Sequence, residues 1–270
     1  MKENRFKVLN REDLKLLAIL AMTMDHVAGG FLPNGSAVWL AFRIVGRITF
    51  PIMACLLADG FLYTHDLKKY ISRLFWFSVL SWFTFSFLET GSFLPVRLAA
   101  GDETGYPFNR LFLPTLNRTL CICRFSVLTG LLCSLLFLTV WEKSGWKLPG
   151  KLLASCALVL ITMNCDWYWL NIPMVMCFYY LRNDPSAKWA VFTGLSLLYI
   201  FDIFGSSDLF APYVMGGFKP YRVGMLLPPV LIGYFYNGKK GRGGAFGKWF
   251  FYGYYPAHQL ILGILQVLFA

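Results

Sequence analysis

Lys15-Leu-Leu-Ala-Ile-Leu-Ala-Met-Thr-Met-Asp25-His26-Val27 is an apolar run that begins at a lysine and carries an aspartate and a histidine side by side in its interior. An unpaired charge in hydrocarbon costs several kcal/mol, so ionisable groups inside such a run point by default to function. As a helix, the run puts Lys15 and His26 on nearly the same face, roughly 16 Å apart along the axis. That is about half of a ~30 Å hydrocarbon core. A lysine at one water interface therefore predicts a histidine near the midplane.

The rest of the chain agrees with a membrane setting. Of 270 residues, 57% are hydrophobic, 18% aromatic and only 14% charged, and mean hydropathy is +0.55. A soluble domain carries about 25% charged residues. Apolar runs long enough to span lie at 14–31, 36–63, 72–88, 124–141, 149–163, 167–181, 187–203, 222–236 and 249–269. They predict an all-α, polytopic transmembrane bundle of about nine spans, between eight and ten, several of them short, tilted or broken. Neither an internal repeat nor a low-complexity tract interrupts them, and residues 1–270 read as a single membrane-embedded domain. The polar, basic first twelve residues and the absence of a small-x-small site after them argue against a cleavable signal peptide.

The net charge of +11 does not point to nucleic acid, because the cations fall between apolar runs rather than along one stripe. Placing the N-terminus in the cytoplasm gives 17 of the 25 Lys and Arg residues to the inner segments. The positive-inside rule then predicts an N-in, multi-pass protein of the cytoplasmic membrane, in contact with lipid. Residues 89–123 and 204–221, rich in Gly and Pro, read as long outer loops. The seven cysteines include four in apolar runs and a Cys121-Ile-Cys123 pair that lacks zinc spacing, so no metal is expected.

A second histidine occupies the last run, Trp249-Phe-Phe-Tyr252-Gly-Tyr254-Tyr255-Pro256-Ala-His258-Gln259. Counted from Lys248, His258 is roughly 15 Å deep, which matches His26. Either histidine alone could serve an interhelical hydrogen bond; two at one depth, one beside Asp25, suggest a reaction centre. Asp25 could hold the imidazole proton on one nitrogen and raise the basicity of the other. Neighbours on a helix point about 100° apart, however. Asp25 could equally pair with Arg43 and Arg47, spaced i, i+4 in Arg43-Ile-Val-Gly-Arg47-Ile-Thr-Phe-Pro51. Those arginines could also bind an anionic substrate group or snorkel to the headgroups. Asp59 and Asp166 are further acidic candidates, and His65 reads as a solvated loop residue. The segment Tyr236-Asn237-Gly238-Lys239-Lys240-Gly241-Arg242-Gly243-Gly244 could grip phosphates through backbone amides and cations, or be a flexible positive-inside turn. It is not a Walker loop.

These segments together resemble the TraX family, named after a conjugal-transfer protein that N-acetylates pilin. The resemblance is carried by Lys15 to His26, Val45-Gly-Arg47-Ile-Thr-Phe-Pro51 with Asp59-Gly60 and Tyr70-Ile-Ser-Arg73, and Asn117 ahead of Phe125-Ser-Val-Leu-Thr-Gly130. The Asp166 segment, Tyr236-Asn-Gly-Lys-Lys-Gly241 and Phe250 to His258 complete it. The first block is also similar to the Lys/Arg-x10-His helix of membrane acyltransferase 3 enzymes.

The resemblance implies an acetyltransferase that takes acetyl-CoA from the cytoplasm and passes acetyl to a hydroxyl or amine of pilin, a glycan or a small amine. It makes His26 the base and puts Lys15 at the cofactor end. On the physical reading, Asp25 and His258 support His26, and Asn237, Lys239, Lys240 and Arg242 join Lys15 in holding CoA. Arg43, Arg47, Asp59, Asn117 and Tyr255 are left as acceptor or oxyanion residues. The rival is a proton-coupled transporter or flippase using the same His, Asp and Arg set, although no repeated halves support it.

Overall fold

Helix α1 (Arg11–Phe31) starts where Asn10 accepts hydrogen bonds from the Glu12 and Asp13 amides while the Asp13 carboxylate takes the Asn10 amide at 2.8 Å. This reciprocal cap satisfies orphan donors at the helix start, and the two acids complement its dipole. The helix ends two residues before Pro33. The structure, a computed structural model, describes residues 6–100, 110–203, 217–241 and 244–269, and it is mostly helical.

The run read as one span over 36–63 is bent. Helices α2 (Ala37–Gly46) and α3 (Thr49–Tyr63) are separated at Arg47 and Ile48, whose amides reach back three residues to Ile44 and Val45. Pro51, with no N–H to offer the Arg47 carbonyl, accounts for the tightened turn. Helix α4 (Leu67–Thr90) is capped by Asp66, whose carboxyl the Lys69 amide and ammonium hold below its usual range. It stops at Gly91, which takes a left-handed φ of 71°.

The expectation of an all-α chain fails within 89–123, and the loop reading of that segment holds only outside its strands, residues 101–109 lying outside the described residues. Strands β1 (Val96–Ala100), β2 (Arg110–Leu113) and β3 (Arg118–Ile122) form an antiparallel sheet in the order β1-β3-β2, with Leu98 and Leu111 both opposite Leu120. Asn117, at φ 47°, makes the turn into β3. Glycines and prolines around strands of four or five residues concealed them.

Helices α5 (Val127–Glu142), α6 (Leu148–Met163), α7 (Asn171–Tyr180) and α8 (Pro185–Ile200) follow. The expected span over 222–236 is a 3-10 segment, Pro220–Leu226, joined to a π-helical one, Pro229–Phe235. Pro228 and Pro229 deny that stretch two α-helical hydrogen bonds. The 3-10 segment takes in Pro220 and Tyr221 of the expected outer loop, and residues 204–216 of it lie outside the described residues. Helix α9 (Gly244–Phe269) carries Pro256 within it. Three helical segments among the described residues are long and apolar enough to cross a membrane: Arg11–Phe31, Ala37–Tyr63 and Leu67–Thr90.

Helix α1 packs against α2, α3 and α9, and α4 lies along α9. Buried Ala18 and Ala21 on α1 let neighbouring backbones approach closely. The same core holds Leu14, Phe50, Leu131 and Met174. The packing of first and last helices places His26 beside His258.

Candidate active site

The two imidazoles meet. His26 Nδ1 lies 2.9 Å from His258 Nε2, and the rings are nearly parallel, their centroids 5.0 Å apart. His258 Nδ1 lies 3.0 Å from the Tyr254 carbonyl. A carbonyl only accepts, so His258 Nδ1 carries the hydrogen. In the neutral pair His258 Nε2 is then an acceptor and His26 Nδ1 donates to it. This leaves His26 Nε2 with a free lone pair. His258 is buried and His26 half-buried.

A tyrosine supports the pair from below. The Tyr254 ring stacks on His258 at 5.3 Å, and its hydroxyl lies 2.8 Å from Thr23 Oγ1 on α1. Thr23 in turn donates to the Ile19 carbonyl. The His26 helix and the His258 helix are therefore joined at two levels, one turn apart.

A cavity of about 410 Å³ runs along α1 towards the pair. Arg11, Lys15, Arg73 and Lys240 stand at its mouth; Met22, Thr49, Val127 and Tyr255 close its far end. From Arg11 to Met22 the cavity follows the helix for roughly 16 Å. Lys15 rests 4.9 Å above the Phe251 ring. The Tyr255 ring both lines the cavity and meets His258 edge-on at 5.4 Å, so the far wall of the cavity touches the histidine pair.

Asp25 does not serve His26. Its Oδ2 accepts from Arg43 at 3.0 Å and from Arg47, so of the two partners the sequence left open it takes the arginines. Arg47 also reaches the Tyr199 hydroxyl at 3.2 Å and lies over the Trp167 ring at 4.8 Å.

The region of the chain that matches a known family model is residues 10–98, and the model is that of the TraX protein. A protein of Dichelobacter nodosus described as "Probable fimbrial assembly protein FimC, serogroup H1" is 32% identical over 254 residues, covering 92% of each chain. The chain belongs to the TraX family. No solved structure matches it at a significant level.

The TraX match takes in Lys15, Asp25, His26, Arg43, Arg47 and Asp59 but stops short of Tyr255 and His258. The structure brings Lys15, Lys240, Tyr255 and both histidines to one cavity and its far wall. It separates others. Asp59 pairs with Arg11 at 3.6 Å and accepts from the Tyr236 hydroxyl at 2.8 Å, at the cavity mouth and away from the histidines. Asn117 is exposed in the turn before β3. Neither stands where an oxyanion at His26 would form. Asn237 and exposed Lys239 fasten the basic loop rather than line the cavity: the Asn237 amide bonds to the Leu9 carbonyl, and the Arg11 amide to that of Lys239. Arg242 lies outside the described residues. His65 is exposed.

Sequence reasoning missed Arg11 and Arg73 at the mouth, Tyr254 and Thr23 beneath the pair, and Arg222. Tyr254 and Thr23 had one visible signal, since each stands three or four residues before a histidine, on the same helix face.

Proposed function

We propose that this TraX protein is a membrane acetyltransferase that moves acetyl from cytoplasmic acetyl-CoA to a hydroxyl or amine acceptor. The supporting observation is the cavity with four cations at its mouth and, at its far wall, a tyrosine in contact with a hydrogen-bonded histidine pair. Phosphates of CoA are held by Arg11, Lys15, Arg73 and Lys240 as charge-assisted contacts. The pantetheine arm follows the apolar length, and the thioester stops at Tyr255.

His26 Nε2 takes the proton of the acceptor as its oxygen or nitrogen bonds to the acetyl carbon. The tetrahedral oxyanion accepts from the Tyr255 hydroxyl. Its collapse breaks the carbon–sulfur bond, and the CoA thiolate leaves with the proton that His26 had taken. His258 accepts from His26 Nδ1 throughout and spreads the positive charge of the protonated state.

The same reading makes residues 1–270 one multi-pass domain of the cytoplasmic membrane with nine crossings and its N-terminus inside. Helices α1, α4 and α9 begin, and α3, α5 and α7 end, on the side of the cavity mouth. Lys68, Lys69, Lys143, Lys147, Arg182 and Lys188 lie at helix ends on that side, as positive-inside topology requires. The Dichelobacter nodosus relative is described as a fimbrial assembly protein, which favours a pilin-type acceptor over a glycan or a free small amine.

The test is purified protein with labelled acetyl-CoA. Release of CoA that disappears in His26→Ala supports the reading. Uptake of a solute driven by a proton gradient, with no binding of CoA, overturns it and favours the transporter.

A further inference from the structure

On the side of the histidines away from the cavity mouth, three guanidinium groups converge on one ring. Arg43, Arg47 and Arg222 lie 5.0, 5.6 and 5.9 Å from the centroid of Tyr221. They come from α2, the α2–α3 break and the 3-10 segment. Two carboxylates meet them: Asp25 takes Arg43 and Arg47, and Asp202 takes Arg222 at 2.6 Å. Among the described residues Asp166 forms no ion pair with any of the three, although its charge acts on Arg47 from a distance. The three guanidinium groups share two contacting carboxylates, and the Nε of each is buried without a partner, as is Asp25 Oδ1; a buried donor left unpaired is expensive.

The three arginines are not equally reachable. Arg47 and Arg222 side chains are only 8% and 4% exposed, whereas that of Arg43 is 22% exposed. Arg43 Nε is buried without a partner. The arginine lies beside Gly29, where an added Cβ would stand 3.9 Å from Nη1, and Gly29 itself is exposed. Gly29 follows His26 by three residues, about 5 Å along the helix. The space beside exposed Gly29 thus forms a notch at Arg43, about one helical turn along α1 from His26.

We infer that Arg43 at this notch binds an oxyanion, carboxylate or phosphate, carried by the acceptor, and so delivers the acceptor's nucleophile to His26. The inference rests on the acetyl-transfer reading, and it narrows the acceptor to a hydroxyl or amine with an anionic group a few bonds away. A planar guanidinium presents paired donors that suit both oxyanions. Asp25, Trp39 and Tyr221 hold Arg43 in position; Arg47 and Arg222 add charge at the same ring.

The experiment uses an Arg73→Gln/Lys240→Gln background, which weakens anion binding at the cavity mouth. Inorganic phosphate and acetate are titrated in neutral detergent, and phosphatidylglycerol is compared with phosphatidylcholine in nanodiscs. Tryptophan emission, to which Trp39 beside Arg43 contributes, and the thermal midpoint are recorded. At least one anionic probe is expected to shift both, with affinity falling at least about tenfold in Arg43→Gln. Gly29→Leu fills the notch from an exposed position and leaves the arginine intact, so it must weaken binding as well. A response confined to phosphatidylglycerol assigns the oxyanion to a lipid-borne acceptor. No response to any probe, or one unchanged in either variant, overturns the inference. CoA binding by the native protein is measured separately: its absence removes the donor reading and leaves an Arg43-dependent anion site standing.

Discussion

The free lone pair on His26 Nε2 exists because two acceptors are aligned behind it, the Tyr254 carbonyl for His258 and His258 Nε2 for His26. His26→Ala is therefore expected to lower transfer by about 10²–10⁴-fold, the range of a lost general base. His258→Ala leaves that lone pair present but frees the ring to adopt the other tautomer. Its loss should be smaller and confined to turnover, with CoA binding unchanged, as single-turnover kinetics and equilibrium binding would show. Asp25 acts on stability instead. Asp25→Asn leaves Arg43 and Arg47 without their shared anion and should cost about 3–5 kcal/mol, read as a lower thermal midpoint in detergent. The sequence displayed both histidines and their matched depth. It could not rank the partners of Asp25, because adjacency along a helix fixes an angle of about 100° and not a neighbour.

Between elements, backbone proximity decides where arginines can meet. A Cβ on Gly224 would run into the Ile44 carbonyl oxygen, so only glycine lets the 3-10 segment lie against the end of α2 and bring Arg222 beside Arg47. Gly224→Ala should cost about 1–3 kcal/mol by overpacking. Gly253 in α9 meets nothing within 4 Å, and Gly253→Ala should stabilise by about 0.5–1 kcal/mol through helix propensity. Opposite shifts in thermal midpoint for two Gly→Ala changes check both statements. These contacts also show why some elements were hidden. Pro51 and the Pro228-Pro229 pair stand inside runs read as single spans, and nothing local says that a broken span continues as 3-10 and π turns. The sheet escaped because its apolar face depends on register, with Leu98, Leu120 and Leu111 aligned across three strands, and strands of four or five residues give too few alternations to reveal it.

The direction of the whole bundle determines whether a nucleotide thioester can reach the histidines at all. The proposed transfer from cytoplasmic acetyl-CoA requires that the mouth formed by Arg11, Lys15, Arg73 and Lys240 open inward. Two exposed positions report on this. His65 lies between α3 and α4 at the mouth end, and Leu116, 62% exposed, lies in the hairpin between β2 and β3 at the opposite end. With a membrane-impermeant maleimide on intact cells, Leu116→Cys should label and His65→Cys should not, the unsubstituted protein giving the background from Cys123 and Cys156. Permeabilised cells should label both. CoA binding should weaken as salt is raised, because the cations at the mouth, exposed Lys240 above all, are screened over a Debye length of about 8–10 Å. The reverse labelling pattern would point the cations outward, against the charge bias that orients membrane proteins, and would leave the base at His26 without a donor on its side of the membrane.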